Sequence, residues 1–127
     1  MSEPRFLTVE QVKNLHGKLI SRFGGAHGLR DPHLFEAAVI HPRNVYYYAQ
    51  GDLFDVAAAY AFHIAQAQAF LDGNKRTGMA AALAFLDGNG VVIPTETNRL
   101  CNAMIAIAEK RMDKGQLSAL LRELSPT

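Results

Sequence analysis

Val9, Val12, His16, Leu19, Ile20 and Phe23 recur at the spacing of one helix face, and Thr8 with Gln11 three residues on forms the pattern of a capping box just before them. A first amphipathic helix is therefore expected, ending at Gly24-Gly25. Asp31-Pro32 reads as an N-cap and first helical residue. It opens a short helix through Leu34, Phe35, Ala38 and Val39 that is expected to stop before Pro42, leaving 43–51 as an ordered loop with three consecutive tyrosines. Asp52 caps a third, long helix over 53–71, apolar on every face and rich in alanine, so that neighbouring helices approach it closely. It should be the centre of the molecule. After a break at Asp72-Gly73 a fourth helix runs over about 75–87 and stops at Gly88-Asn89-Gly90. Segments 95–112 and 116–124 supply two more. The pattern predicts one all-α domain over residues 1–127, a compact bundle of about six helices.

The string Ala-Phe-Leu-Asp-Gly-Asn occurs at 69–74 and again at 84–89, but only the first copy leads into Lys-Arg and a helix. The second precedes Gly90 and the β-branched Val91, Val92 and Ile93, and reads as a helix stop. Six residues do not make a repeat protein. A hydrophobic fraction of 49% with 20% charged residues is that of an ordinary globular domain. The net charge of +1 provides no basic field for DNA binding, so any anion site must be local. Cys101 is the single cysteine, which excludes an intrachain disulfide and fits a reducing, cytoplasmic setting. The polar start Met1-Ser2-Glu3-Pro4-Arg5 has no apolar signal core. The apolar stretch 53–71 carries Asp55, His63, Gln66 and Gln68, so it reads as a buried helix and not a membrane span.

The loop Asp72-Gly73-Asn74-Lys75-Arg76 carries the chemistry. A helix start offers unpaired N–H groups and the positive end of the macrodipole, and Gly73 permits those groups to turn inward around an anion. Lys75 and Arg76 add cations where the dipole disfavours them, which a bound anion would explain. Asp72 would repel a polyphosphate unless a divalent cation lay between them, which makes it a candidate Mg²⁺ ligand. The plainer alternative is that Asp72 is a helix N-cap, Gly73 a turn residue, and Lys75 and Arg76 a solvated first turn.

The run Phe70 to Arg76 resembles most of the Fic/Doc motif, His-x-Phe-x-(Asp/Asn)-(Ala/Gly)-Asn-(Gly/Lys)-Arg. Phe6-Leu7-Thr8, Leu15-His16, Arg22-Phe23-Gly24-Gly25, Gly28-Leu29-Arg30-Asp31 and 38–42 resemble the death-on-curing (Doc) branch over nearly the whole chain, and Lys75 points the same way. The resemblance implies a bundle of helices that uses ATP and Mg²⁺ to modify protein hydroxyls. It implies a growth-arresting toxin that transfers the terminal phosphate, in preference to AMP, to a translation elongation factor. Asp72 would hold the metal, Gly73, Asn74, Lys75 and Arg76 the phosphates, and Phe70 would pack the motif. Tyr46, Tyr47 and Tyr48 fall where the family has a flap that positions the protein substrate, and a Phd-type antitoxin would be the restraining partner.

Gln68 stands where the motif has its histidine, the general base. Glutamine forms hydrogen bonds but accepts no proton near neutral pH. Loss of a positioned base costs on the order of 10²–10⁴ in rate, or about 3–5 kcal/mol of barrier. The chain is then a naturally weakened or repurposed member, one disarmed by engineering, or one whose chemistry needs no base, because phosphoryl transfer rests mainly on positioning and electrostatics. The alternative function is a non-catalytic domain that binds nucleotide or antitoxin. His63 lies about 140° around an ideal helix from Gln68 and reads as a core histidine. His16, on the apolar stripe of the first helix, reads as a packed hydrogen bonder. His27, His33 and His41 have no metal-ligand spacing.

Overall fold

A computed structural model describes residues 3–94 and 98–126. Among the described residues six helices follow one another: α1 Val9–Phe23, α2 Pro32–Tyr47, α3 Leu53–Ala67, α4 Asn74–Gly88, α5 Asn98–Ala108 and α6 Lys114–Leu124. The bundle is all-α as the pattern predicts. Among the described residues the only β pairing is an isolated antiparallel bridge between Leu29 and Phe70.

The caps explain most boundaries. Thr8 Oγ accepts from the Gln11 N–H at 3.1 Å while Gln11 Oε1 accepts from the Thr8 N–H at 2.8 Å. Asp52 and Asp55 make the same reciprocal pair at the start of α3, and Asp113 and Gln116 at the start of α6. Gly24, at φ +89°, ends α1.

Several expected boundaries are wrong. The helix expected to stop before Pro42 runs through it to Tyr47 and takes in most of the segment expected to be a loop. An internal proline loses one backbone bond and costs about 3 kcal/mol, but Pro42 is buried and tertiary contacts hold the turns beyond it. Phe6 lies against Tyr46, Tyr47 and Phe85, with centroids 5.9, 5.7 and 6.1 Å away, and the Arg43 guanidinium donates to Leu7 O at 3.4 Å. Conversely, the helix expected to extend to residue 71 ends at Ala67, where Gln68 turns left-handed at φ 47°, ψ 41°. Residues 69–71 are claimed by the segment before α2 instead. Ala69 O accepts from the Arg30 and Asp31 N–H groups at 2.6 and 3.1 Å, and the Leu71 N–H donates to Gly28 O at 3.1 Å. The fifth helix ends at Ala108, short of residue 112, and the expected start at Thr95 lies outside the described residues.

α3 is the central helix, packed against α2, α4, α5 and α6. Ala57, Ala58, Ala59 and Ala61 are fully or almost fully buried and keep its surface low. At the crossing with α4 the Gly78 backbone comes so close that an added Cβ would stand 2.7 Å from Ala61 O. The Tyr60 hydroxyl, buried in this core, accepts from the Leu7 N–H at 2.9 Å. Burial pushes its pKa up to about 12 against the opposing pull of the Leu7 amide and Arg43. No helix among the described residues is long and apolar enough to cross a membrane.

Candidate active site

The loop between α3 and α4 is held at both ends by its own polar groups. The Asn74 side chain closes it, with Oδ1 accepting from the Phe70 N–H and Nδ2 donating to Phe70 O, both at 3.0 Å. Asn74 was expected to hold phosphate, but its amide is committed to the loop; what it can offer an anion is its backbone N–H. Phe70 is buried, edge-on to Phe35 at 4.9 Å and stacked face to face with His16 at 3.7 Å. Its ring packs between α1 and α2.

Gly73 is the N-cap of α4, in the left-handed region at φ +80°, and no side chain caps this helix. The first intrahelical bond is from the Thr77 N–H to Gly73 O at 2.9 Å. The N–H groups of the first turn therefore have no partner from a capping side chain, and they carry the positive end of the helix dipole. The alternative in which Asp72 is the cap does not hold. Its Oδ2 instead accepts from the Ala26 N–H at 2.7 Å, which ties the loop to the turn after α1.

Asp72, Gly73, Asn74, Lys75 and Arg76 all line one cavity of about 420 Å³, within the range of small-molecule sites. Gly24 and Gly25 form part of its wall, and an added Cβ at Gly25 would meet Asp72 Cβ at 3.2 Å. Met79, Cys101, Met104 and Ile105 from α4 and α5 line its apolar part. The lining thus joins the charged Asp72, Lys75 and Arg76 to apolar and sulfur-bearing side chains. No ion pair neutralises Lys75 or Arg76 among the described residues. The Arg76 guanidinium lies over the Phe23 ring at 4.5 Å, and Phe23, at the end of α1, is 55% exposed.

Other predicted residues fall elsewhere. Gln68 is exposed at the end of α3 and does not line the cavity; its carbonyl accepts from Arg30 Nη2 at 2.6 Å. Tyr46 and Tyr47 lie on the last turn of α2 and Tyr48 caps it, so they are helical and not a strand-like flap. Phe35, near the start of α2, touches Phe70, whereas Tyr46 is eleven residues further along the helix, or about 16 Å. The segment that pairs backbone to backbone with residues 69–71 is 28–31, and the Ala26 N–H donates to the Asp72 side chain. His63 faces away from the loop, 4.1 Å from the His41 ring and with Nε2 3.1 Å from Lys114 Nζ. Burial, then the Lys114 ammonium, then His41 push its pKa down to about 4, so it is neutral at pH 7. Among the described residues no three His, Cys, Asp or Glu side chains cluster as a metal cage.

A model of the Fic/DOC family matches residues 6–86, which contain the whole loop and its α1 and α2 supports. The chain belongs to the Fic/Doc family. Its similarity to the Doc branch runs nearly end to end. It is 34% identical over 121 residues to "Protein kinase doc" of Escherichia phage P1, covering 94% of this chain and 95% of that protein. It is 38% identical over 103 residues to "Toxin Doc" of Mycolicibacterium smegmatis (strain ATCC 700084 / mc(2)155), covering 78% and 79% of the two chains. Phe23, Ala26, Arg30, Met79, Met104 and Ile105 stand at or beside the cavity without being among the candidate residues of the sequence. Phe23 and Arg30 carried a local signal, in the strings Arg22-Phe23-Gly24-Gly25 and Gly28-Leu29-Arg30-Asp31.

Proposed function

We propose that this chain is the toxin of a toxin–antitoxin pair and transfers the terminal phosphate of ATP to a hydroxyl of a target protein. The observation that carries the reading is the uncapped start of α4, flanked by the unneutralised Lys75 and Arg76, opening into a cavity of small-molecule size. The helix-start N–H groups and the two cations bind the phosphates, and the apolar wall of Met79, Met104 and Ile105 receives the base. Mg²⁺ fits the donor set: Asp72 lines the cavity, and its Oδ1 is free of the hydrogen bond that occupies Oδ2. When bound, the ion neutralises phosphate charge and lets a carboxylate sit beside the polyphosphate.

In the transfer, the acceptor oxygen bonds to the γ phosphorus, the bond from that phosphorus to the β–γ bridging oxygen breaks, and ADP leaves. Gln68 cannot take the hydroxyl proton, which passes to the transferred phosphate or to water. Chemistry of this kind leans on positioning and charge, which Lys75, Arg76 and the α4 start supply. In this reading the acceptor is a translation elongation factor and the restraining partner a Phd-type antitoxin. The exposed, non-ionisable Gln68 favours one other reading, a domain that binds nucleotide or antitoxin without turnover.

The deciding experiment follows label from γ- and α-labelled ATP, with Mg²⁺, into the proteins of a bacterial lysate, for this chain and for Gln68→His. Entry of γ label with the unchanged chain is the expected result. Rates 10²–10⁴ higher for Gln68→His measure what a positioned base adds. Label from the α position would mean AMP transfer, and ATP binding without labelling by either chain would establish the non-catalytic reading.

A further inference from the structure

We propose that His16 is a positioning residue for the phosphate loop: its Nε2–H, held by Asp72 O, sets which way the Asp72–Gly73 peptide faces. A carbonyl oxygen only accepts hydrogen bonds, so at 2.8 Å from Asp72 O the His16 Nε2 carries a proton. The ring has little freedom to turn away. It is 4% exposed and lies 8° from parallel with Phe70 at a centroid distance of 3.7 Å. One turn further along α1, Ile20 supports the same point from below: a Cβ on Gly73 would stand 3.1 Å from Ile20 Cδ1 and 3.6 Å from His16 Cδ2.

The peptide between Asp72 and Gly73 is planar and trans, so its N–H points opposite to its C=O. With the carbonyl drawn to His16 on α1, the Gly73 N–H is turned to the other side of the loop. Glycine is what makes the loop possible, at φ +80°, but glycine also tolerates a flipped peptide, the rearrangement that separates type I from type II turns. A flip would exchange a donor for an acceptor at the head of an anion site. Gly73 alone leaves that choice open, and His16 settles it. The ligand class rests on the proposed ATP site; the peptide orientation does not.

The test uses the full chain labelled with ¹⁵N, together with His16→Phe, which keeps the ring on Phe70 but has no donor, and His16→Gln, which restores an N–H. The expected results are an imidazole spectrum with the proton on Nε2 and a displaced Gly73 amide resonance in His16→Phe, with resonances remote from the loop unchanged. ATP with Mg²⁺ should bind His16→Phe about tenfold more weakly than the unchanged chain, and His16→Gln within threefold of it. A proton found on Nδ1 alone would overturn the proposal, as would His16→Phe with the Gly73 amide in place and ATP affinity within twofold. If His16→Phe fails to fold, the imidazole spectrum of the unchanged chain still decides. If the unchanged chain binds no ATP, the nucleotide reading fails, and the tautomer and the Gly73 amide still decide the role of His16.

Discussion

Phe23 and Arg76 lie 53 positions apart in the sequence and meet at one edge of the cavity, the ring supporting the guanidinium at 4.5 Å. A cation over an aromatic face gains about 0.5–2 kcal/mol, depending on how dry the contact is. At 55% exposure Phe23 contributes little to the core, and its ring takes both Arg76 at 4.5 Å and Arg22 at 5.3 Å. Phe23→Leu should therefore weaken ATP binding about three- to tenfold in titration calorimetry while leaving the melting temperature within about 2 °C. A loss of stability with unchanged affinity would make Phe23 a packing residue. Gln68 presents the opposite case. Its side chain is exposed, yet its backbone ends α3 in a left-handed conformation that costs a non-glycine residue about 1–2 kcal/mol.

At the scale of elements, the two copies of Ala-Phe-Leu-Asp-Gly-Asn show how context assigns a role. Both asparagines donate to the phenylalanine carbonyl four residues earlier, Asn74 to Phe70 at 3.0 Å and Asn89 to Phe85 at 2.8 Å. The first begins a helix at the cavity; the second ends one, and its amide also clasps the backbone of Arg5. Two glycines of α4 differ in the same way. Gly78 sits where α4 crosses α3, with Ala61 O 2.7 Å from any added Cβ, whereas Gly88 has nothing within 4 Å. Gly78→Ala should cost about 1–3 kcal/mol in urea denaturation because two backbones must separate. Gly88→Ala should be neutral or stabilise by up to about 1 kcal/mol through the unfolded chain. Equal effects of the two would argue against the close α3–α4 approach. The overrun of α2 past Pro42 belongs to this scale too: a local stop signal gives way to the packing of Phe6 on Tyr46 and Tyr47.

For the whole molecule, pH dependence should centre on the joint of α2, α3 and α6. Burial, the Lys114 ammonium and His41 bring the His63 pKa down to about 4 from an unfolded value near 6.5. The unfolded chain therefore takes up a proton here first, and stability is lost as pH falls from about 6.5 to 4. The full linkage is about 3 kcal/mol; screening at this half-buried ring reduces it to about 1–2. Thermal melts across pH 4–7 should show that decline, and His63→Gln should flatten it. A slope unchanged in His63→Gln would place the titration elsewhere. Asp55 acts in a lower window: burial raises its pKa, but Ser118, the Asp52 amide and Arg122 together lower it, so its contribution is lost as pH falls through the carboxylate range.

The sequence by itself determined what short-range chemistry decides. Cap residues and apolar spacing act within one or two turns, so the all-α class, the start of α1 at Thr8, the start of α2 at Asp31-Pro32 and the start of α4 just after Gly73 were all legible. The loop at 72–76 was legible because misplaced charges at a helix start are a local anomaly. What only the tertiary structure decided are the features set by partners distant in the chain. These include the end of α3 at Ala67, taken by pairing with residues 28–31, and the commitment of Asp72 to Ala26 and His16. They include the distance of the tyrosines from the loop and the apolar wall that α5 brings to the cavity. The physical reason is that such contacts draw on burial and hydrogen bonds between residues tens of positions apart, and they outweigh local propensity wherever the two compete.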